Sequence, residues 1–165
     1  MTIIRRLQPD TNFDDLIALS KAFFEEYEAH HEDFFKIDVL QDADIVRYFS
    51  KTLDTDNAAT FVAIQDGRIV GYITVFIKEQ PGYWKVKRVG DISGLMVYKD
   101  YRRRGIASQL LAEATTFIRT QGVRYFTVYT AATNQTAIAF YKHNGMNPLY
   151  VTLLGEIAPH SLDLQ

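Results

Sequence analysis

The sequence predicts a mixed α/β (α+β) fold in three layers, with a central β-sheet of about six to seven strands flanked by about four helices. Apolar residues first recur every three to four positions, and from residue 59 they alternate or run continuously. Asp66-Gly67 lies between two runs of β-branched and aromatic residues, which indicates a β-hairpin. Further along, an amphipathic helical pattern lies between two strand patterns, as in a right-handed β-α-β crossover.

The first part of the chain predicts one short strand and two helices. Residues 2–8 have the composition of a short strand. Residues 13–29 predict a helix capped by Thr11 or Asn12, because their apolar side chains recur on one helical face. A second, shorter helix is predicted over residues 42–53.

The second part predicts the rest of the sheet. The patterns predict, in order, a hairpin over 59–79, a strand over 86–97, a helix over 105–122, a strand over 124–131, a helix over 134–145 and a last strand over 146–154. The sheet is therefore expected to be antiparallel at first and to include a parallel pair later.

Composition is typical of a globular protein and excludes several other classes. With 165 residues, of which 47% are hydrophobic, the chain has the length of one domain, so we expect residues 1–165 to form a single domain. There are no cysteines, which excludes disulfides and thiolate metal sites. Because no apolar run could span a membrane and the first residues lack a secretory signal, we expect a cytoplasmic protein with no membrane partner.

Charge is distributed unevenly, although the net charge is only −2. The segment from Asp10 to Asp56 has 13 of the 20 acidic residues and four basic ones, whereas the remainder has 7 acids and 14 bases. The first segment could attract a cationic ligand. Solvated helix faces are also commonly acidic, so both interpretations stay open.

Three consecutive arginines, Arg102 to Arg104, precede Gly105 and an apolar helix. A helix N-terminus has free backbone N–H groups and a partial positive charge, so it binds phosphate well. Gly105 lets the backbone approach an anion, and Ala107 adds little bulk. A solvated helix end is the alternative. No nucleic-acid partner is expected, because three adjacent arginines in a mildly acidic chain do not form an extended basic face.

The pattern Arg102-x-x-Gly105-x-Ala107 resembles the R/Q-x-x-G-x-G/A signature of the GNAT N-acetyltransferase superfamily. A second match to this family follows the next predicted strand and reads Asn134-x-x-Ala137-x-x-Phe140-Tyr141-x-x-x-Gly145-Met146. The order of the predicted elements also resembles the family's fold over nearly the whole chain. The resemblance implies that an acetyl group moves from acetyl-CoA to a primary amine by direct attack on the thioester.

The resemblance also implies which residues bind acetyl-CoA. In the family, backbone amides after the arginines hold the pyrophosphate, and the preceding strand pairs with the pantetheine amides. The corresponding residues are Leu95, Met96, Val97, Arg102, Arg103, Arg104, Gly105, Ile106, Ala107 and Ser108. Asn134 is expected to contact the CoA arm or to cap its helix. Gly94 fits a bulge at which the strand opens.

Two residues are candidates for the chemistry. Tyr141 matches the family's general acid, which would protonate or hydrogen-bond the departing CoA thiolate, although a tyrosine on an apolar helical face is usually a core residue. A backbone N–H between Leu95 and Val97 would donate to the oxygen that gains charge. The family often has a glutamate where this chain has Ser93. Asp91, two residues earlier, is therefore the candidate base, with a salt-bridging carboxylate as the alternative.

The acidic first segment matches the part of the family that usually contacts the acceptor. We expect a cationic acceptor, such as a polyamine, an aminoglycoside or a lysine-bearing peptide, near Glu25, Glu26 and Glu28. No metal site is expected, because the adjacent His30 and His31 diverge on a helix. An exposed C-terminal edge strand could pair across a homodimer. The alternative function is a non-catalytic acetyl-CoA-binding sensor or interaction module on the same fold.

Overall fold

The fold, described for residues 1–158 by a computed structural model, is built on one mixed sheet. Within these residues the sheet has five strands in the order of the chain: β1 (Ile3–Arg6), β2 (Ala58–Gln65), β3 (Arg68–Glu79), β4 (Arg88–Val97) and β5 (Phe126–Val128). The first four strands pair antiparallel, and β4 pairs with β5 parallel. The helices are α1 (Asp14–Tyr27), α2 (Asp42–Ser50), α3 (Ile106–Thr120) and α4 (Gln135–His143), with short 3-10 helices at Glu28–His30 and Lys99–Tyr101.

The predicted hairpin at Asp66-Gly67 is confirmed. These two residues have φ angles of 51° and 77°, and they join Gln65 of β2 to its partner Arg68 of β3. Two successive left-handed residues are what a two-residue turn between right-twisted strands requires, and an Asp-Gly pair adopts that conformation at low cost.

Helices cover both faces of the sheet, which confirms the three-layer prediction. On one face, Phe49 of α2 packs edge-on against Tyr72 of β3, with ring centroids 5.0 Å apart. On the other face, Phe117 of α3 packs against Phe61 of β2 at 6.4 Å. Successive residues of a strand point to opposite faces, so each strand contributes to both layers of the core.

Strand β4 has a bulge and then continues beyond its parallel neighbour. The register with β3 shifts next to Thr74, which leaves Ser93 as an extra residue before Gly94. The pairing of β4 with β5 ends at Ile92 and Val128, while β4 extends to Val97. The predicted bulge at Gly94, with an opening of the sheet beside it, is therefore confirmed.

The predicted last strand over residues 146–154 is wrong, and the five strands of residues 1–158 are slightly fewer than the predicted six to seven. No strand is found after β5 in residues 1–158, and the side chains of Tyr150, Val151 and Leu153 are 77%, 85% and 88% exposed. An apolar, β-branched run forms a strand only where a neighbouring strand pairs with it and one face is buried. The edge strand on which the expected homodimer rested is thus absent from this part of the chain.

Backbone contacts group the chain into two units, Met1–Asn134 and the residues from Gln135 onward. The sheet, α1, α2 and α3 belong to the first unit, and α4 belongs to the second. Over residues 1–158, no helix is both long and apolar enough to cross a membrane. The same residues contain no group of three or more His, Cys, Asp or Glu side chains that could hold a metal ion.

Candidate active site

The loop between β4 and α3 places a left-handed backbone segment at the start of α3. Arg103 has a φ of 62° and Gly105 a φ of 77°. Gly105 is the N-cap of α3, and its carbonyl accepts the first helical hydrogen bond from the N–H of Gln109 at 3.1 Å. A Cβ added to Gly105 would meet only Gln109 Nε2, at 3.9 Å, so the space in front of the helix is open. The first N–H groups of any helix lack intrahelical acceptors, and the residue that precedes them here leaves room for a ligand.

The three arginines of this loop do not act alike. Arg102 Nη2 donates to both carboxylate oxygens of Glu26, at 2.8 and 2.9 Å, and its Nε donates to the carbonyl of Val97 at 2.8 Å. Arg103 and Arg104 are exposed, and the guanidinium of Arg104 lies 5.4 Å from the ring centroid of Tyr101. Of the charges predicted to meet a phosphate, that of Arg102 is therefore already paired with a carboxylate, and those of Arg103 and Arg104 are on exposed side chains.

The end of β4 turns backbone groups toward the side where the sheet opens. The Val97 carbonyl accepts its hydrogen bond from Arg102 Nε, so it does not face β3. Alternate residues of an antiparallel strand direct their backbone groups to the same side, so Leu95 faces the opening as well. Because the pairing with β5 ends at Ile92 and Val128, this side of β4 has no partner strand at Leu95 among the described residues. An extended ligand could pair with the strand there.

The bulge decides which residues face this opening. At the start of β4 the N–H of Gly90 donates to the carbonyl of Tyr125 at 2.9 Å, so the even-numbered residues face the β5 side there. The extra residue Ser93 shifts the alternation by one position. As a result, the odd-numbered Leu95 and Val97 face the opening.

A pair of hydroxyl groups lies at the bulge, on the face covered by α2. The hydroxyl of Tyr48 donates to Ser93 Oγ at 2.8 Å, and a Cβ on Gly94 would come within 3.4 Å of the same hydroxyl. Burial raises the pKa of Tyr48, while its hydrogen bonds to Ser93 and Thr74 act in the opposite direction. The hydrogen bond from Tyr48 holds the Ser93 hydroxyl in place, and because Ser93 is exposed, solvent can reach it.

Asp91, the candidate base, forms an ion pair. Its Oδ2 lies 2.6 Å from the ammonium of Lys78 on β3, and its side chain is 20% exposed. Asp91 is opposite Phe76, whose ring centroid is 6.2 Å from that of Tyr48, so it lies on the same face as α2. The salt-bridging alternative for Asp91 is therefore what the structure contains.

The three glutamates predicted for the acceptor have different environments. Glu25 is exposed, whereas Glu26 is bonded to Arg102. Glu28 Oε1 accepts a hydrogen bond from the N–H of Ile37 at 2.9 Å and so holds the segment between α1 and α2. Only the carboxylate of Glu25 is presented to solvent without such a bond among these three.

The end of α1 and the 3-10 helix that follows it also contact the segment that follows β5. His30 Nδ1 lies 3.0 Å from Thr133 Oγ1, and the phenol of Tyr27 is hydrogen-bonded to the backbone of Ala131. Asn134 ends this segment and directly precedes α4, and its N–H donates to the carbonyl of Ala131 at 2.9 Å. Asn134 is thus at the start of the helix, as predicted.

In the unit that starts at Gln135, Tyr141 is the buried residue of α4, with 8% of its surface exposed. Its ring packs edge-on against Phe140 at 5.1 Å, and its carbonyl accepts from the N–H of Met146 at 3.1 Å. Burial raises the pKa of Tyr141 above the usual 10.0, so the phenol stays protonated at neutral pH. Phe140, its neighbour in the motif, is half-buried.

Sequence reasoning missed Tyr48 and Lys78. The spacing of Tyr48 marks it only as a residue of an amphipathic helix, and its partner Ser93 lies 45 residues away. The pairing of Lys78 with Asp91 depends on the register of β3 and β4, which the bulge sets. Neither contact could be predicted from a local sequence pattern.

A comparison with protein families matches residues 16–146 to the acetyltransferase (GNAT) family. The match covers most of the chain, and the chain therefore belongs to this family, as the sequence motifs predicted. The left-handed loop before α3 and the opening beside β4 lie within the matched residues.

Individual relatives are more distant. The chain is 27% identical over 97 residues to N-alpha-acetyltransferase daf-31 of Caenorhabditis elegans, covering 58% of this chain and 52% of that protein. It is 29% identical over 98 residues to an uncharacterized N-acetyltransferase of Methanocaldococcus jannaschii, covering 59% and 43%. The chain thus spans about half the length of these curated relatives.

Solved structures confirm the fold. The BH1408 protein from Bacillus halodurans superposes with a TM-score of 0.82 at 18% identity, covering 94% of this chain and 99% of that one. The aminoglycoside acetyltransferase AAC(6')-Iy, in complex with a bisubstrate analogue of CoA, superposes with a TM-score of 0.76 at 19% identity, covering 96% and 99%.

Proposed function

We propose that this protein is an acetyl-CoA-dependent N-acetyltransferase that acetylates a primary amine on a cationic small molecule or a lysine side chain. One observation carries the proposal: a left-handed loop at an open helix N-terminus lies next to a strand whose backbone faces a gap in the sheet. A pyrophosphate fits the first feature and an amide-containing arm fits the second. The family match runs across both backbone units, which supports one functional domain over residues 1–165.

In the proposed donor site, the N–H groups of Ile106, Ala107 and Ser108 bind the pyrophosphate of acetyl-CoA. Gly105 keeps the approach to these groups open, and Arg103 and Arg104 add positive charge. Leu95 and Val97 pair with the pantetheine amides as a neighbouring strand would, with Met96 between them. Asn134 contacts the CoA arm near its reactive end.

The proposed chemistry is direct transfer. The amine nitrogen attacks the thioester carbon, and the carbonyl oxygen gains negative charge that the N–H of Leu95 stabilises. The carbon–sulfur bond then breaks, and the phenol of Tyr141 gives its proton to the leaving thiolate. The raised pKa of Tyr141 supports this role, because the phenol remains protonated until a strong base forms.

For the proton lost by the amine, we propose Asp91 as the acceptor, directly or through water. Its carboxylate is on the α2 face, where its charge acts on Tyr48, the residue that donates to Ser93 Oγ. The ammonium of Lys78 occupies Asp91 in the free protein, so an incoming ammonium must compete for the carboxylate. This competition makes the role of Asp91 testable by changing either residue.

The proposed class of acceptor is supported by the charge of Glu25 and by the acceptors named for similar proteins. Glu25 presents a carboxylate at the end of α1, near the segment that joins α1 and α2. The similar AAC(6')-Iy is an aminoglycoside acetyltransferase, and daf-31 is an N-alpha-acetyltransferase. Polyamines, aminoglycosides and lysine peptides therefore come first as acceptors, and free α-amines of peptides belong in the same panel.

Release of CoA thiol from acetyl-CoA in the presence of each amine tests the proposal. Amine-dependent release is expected, with loss of release in Tyr141→Phe as the matched control. Measurable acetyl-CoA binding without release for any amine would favour the non-catalytic sensor or interaction module. An absence of acetyl-CoA binding would refute the donor site itself.

A further inference from the structure

Arg102, the first arginine of the loop, forms an ion pair with Glu26, the second glutamate of α1. Arg102 Nη2 contacts both oxygens of Glu26, at 2.8 and 2.9 Å, and both side chains are 37% exposed. The two residues are separated by 76 positions in the chain. A charge-assisted hydrogen bond between side chains that are mostly removed from solvent is stronger than a fully exposed ion pair.

The same guanidinium also fixes the start of the loop. Its Nε donates to the Val97 carbonyl at 2.8 Å, and its Nη2 lies 3.7 Å from Met96 Sδ. Val97 is the last residue of β4, and Arg102 follows it five positions later. The side chain of Arg102 therefore ties the start of the loop to the end of the strand. The left-handed residues Arg103 and Gly105 follow directly.

A left-handed conformation at a residue other than glycine is unfavourable and persists only where its surroundings hold it. Arg103 is exposed, so its own side chain does not hold it in place. On the β4 side, the contacts of Arg102 hold the backbone next to Arg103. On the other side, the backbone is held by α3. Glu26 in turn fixes the direction of the Arg102 guanidinium.

We propose that Glu26 and Arg102 position the acetyl-CoA loop, so that Glu26 acts on donor binding through Arg102 and does not bind the acceptor amine. The inference rests on the proposed function. The inference changes the role of both residues. Arg102 is a positioning residue that pairs with Glu26 and does not bind phosphate, and Glu26 affects the binding of acetyl-CoA. Glu25 is then the residue of this pair of glutamates that remains available to an acceptor.

Asp15 and Arg68 supply a matched control. They also join α1 to a strand, with Arg68 Nη2 3.1 Å from Asp15 Oδ1 at the β2–β3 turn. Their charges act on Tyr98 at the start of the loop, whereas Arg102 contacts Glu26, Val97 and Met96. Asp15 in addition accepts from the N–H of Ile69 at 2.9 Å, so its removal costs stability at least as readily. Glu26→Gln and Asp15→Asn each remove one carboxylate charge from α1.

The experiment measures acetyl-CoA binding by isothermal titration calorimetry, and the KM for acetyl-CoA and for the best amine in steady state. Glu26→Gln is expected to weaken acetyl-CoA binding about fivefold, which corresponds to roughly one ordinary hydrogen bond, because the amide oxygen can still accept from Arg102 without the charge. The KM for the amine at saturating acetyl-CoA is expected to stay unchanged. Asp15→Asn is expected to leave the affinity for acetyl-CoA unchanged.

The exchanged pair, Glu26→Arg with Arg102→Glu, separates positioning from direct phosphate binding. If the pair positions the loop, the double variant recovers part of the affinity that Arg102→Glu alone loses, because the ion pair is restored while the bond from Arg102 Nε to the Val97 carbonyl is not. If Arg102 contacts phosphate directly, the double variant stays as weak as Arg102→Glu alone, which would overturn the inference. Thermal unfolding of each variant shows whether it is folded.

Failure of the inference is distinguishable from failure of the proposed function. If the wild-type protein and Glu26→Gln bind acetyl-CoA with equal affinity, the positioning role alone is overturned. A rise in the amine KM in Glu26→Gln with unchanged acetyl-CoA affinity would also overturn it and return Glu26 to the acceptor side. Wild-type protein that does not bind acetyl-CoA would overturn both.

Discussion

Gly105 and Gly122 allow a test of the donor site that separates backbone strain from ligand binding. Both are left-handed, with φ angles of 77° and 70°, and they lie just before and just after α3. A Cβ on Gly122 would meet nothing within 4 Å, and a Cβ on Gly105 would meet only a side-chain nitrogen at 3.9 Å. Alanine at either position is therefore expected to lower the free energy of unfolding by about 1 kcal/mol, which is the cost of a left-handed L-residue.

The two variants should differ in binding. The Cβ of Gly105→Ala stands at the open helix N-terminus, where the pyrophosphate is proposed to approach the backbone, so we expect the Kd of acetyl-CoA to rise about tenfold, or ~1.4 kcal/mol. Gly122→Ala is at the far end of the helix and should leave Kd unchanged. Urea unfolding gives the first quantity and calorimetry the second. Equal Kd values for both variants and the wild type would refute direct backbone contact with the pyrophosphate at Gly105.

The other predictions concern the chemistry. Tyr141→Phe is expected to lower kcat roughly a hundredfold with unchanged acetyl-CoA affinity, and an unchanged kcat would remove the general acid. Because burial raises the pKa of Tyr141 above 10.0, wild-type stability should fall as pH rises above 10, and less so in Tyr141→Phe; parallel stability curves would contradict this. Asp91→Asn should raise the amine KM and Lys78→Met should lower it; no change in either would exclude Asp91 from the acceptor site.

Local patterns were sufficient for most of the secondary structure in the first unit. The Asp66-Gly67 turn and the left-handed Gly105 before α3 follow from the conformational preferences of the residues themselves. The opening beside Gly94 was predicted from the family resemblance and confirmed by the register. The last strand over 146–154 failed because strand formation depends on a neighbouring strand, which a local pattern does not reveal.

The side-chain partners were decided by tertiary structure. The sequence predicted a phosphate-binding cluster of three arginines and an acceptor-binding cluster of three glutamates, yet one member of each cluster bonds to the other across 76 residues. Likewise, Tyr48 and Ser93 meet across 45 residues.

The sequence by itself determined the order of the elements, the glycine positions that need a left-handed backbone and the family, because these depend on residues close together in the chain. The choice of which charged groups remain available to a ligand was made by the packing of α1 against the end of β4. Ion pairs form between whichever opposite charges the fold brings within contact, and sequence distance has no part in that selection.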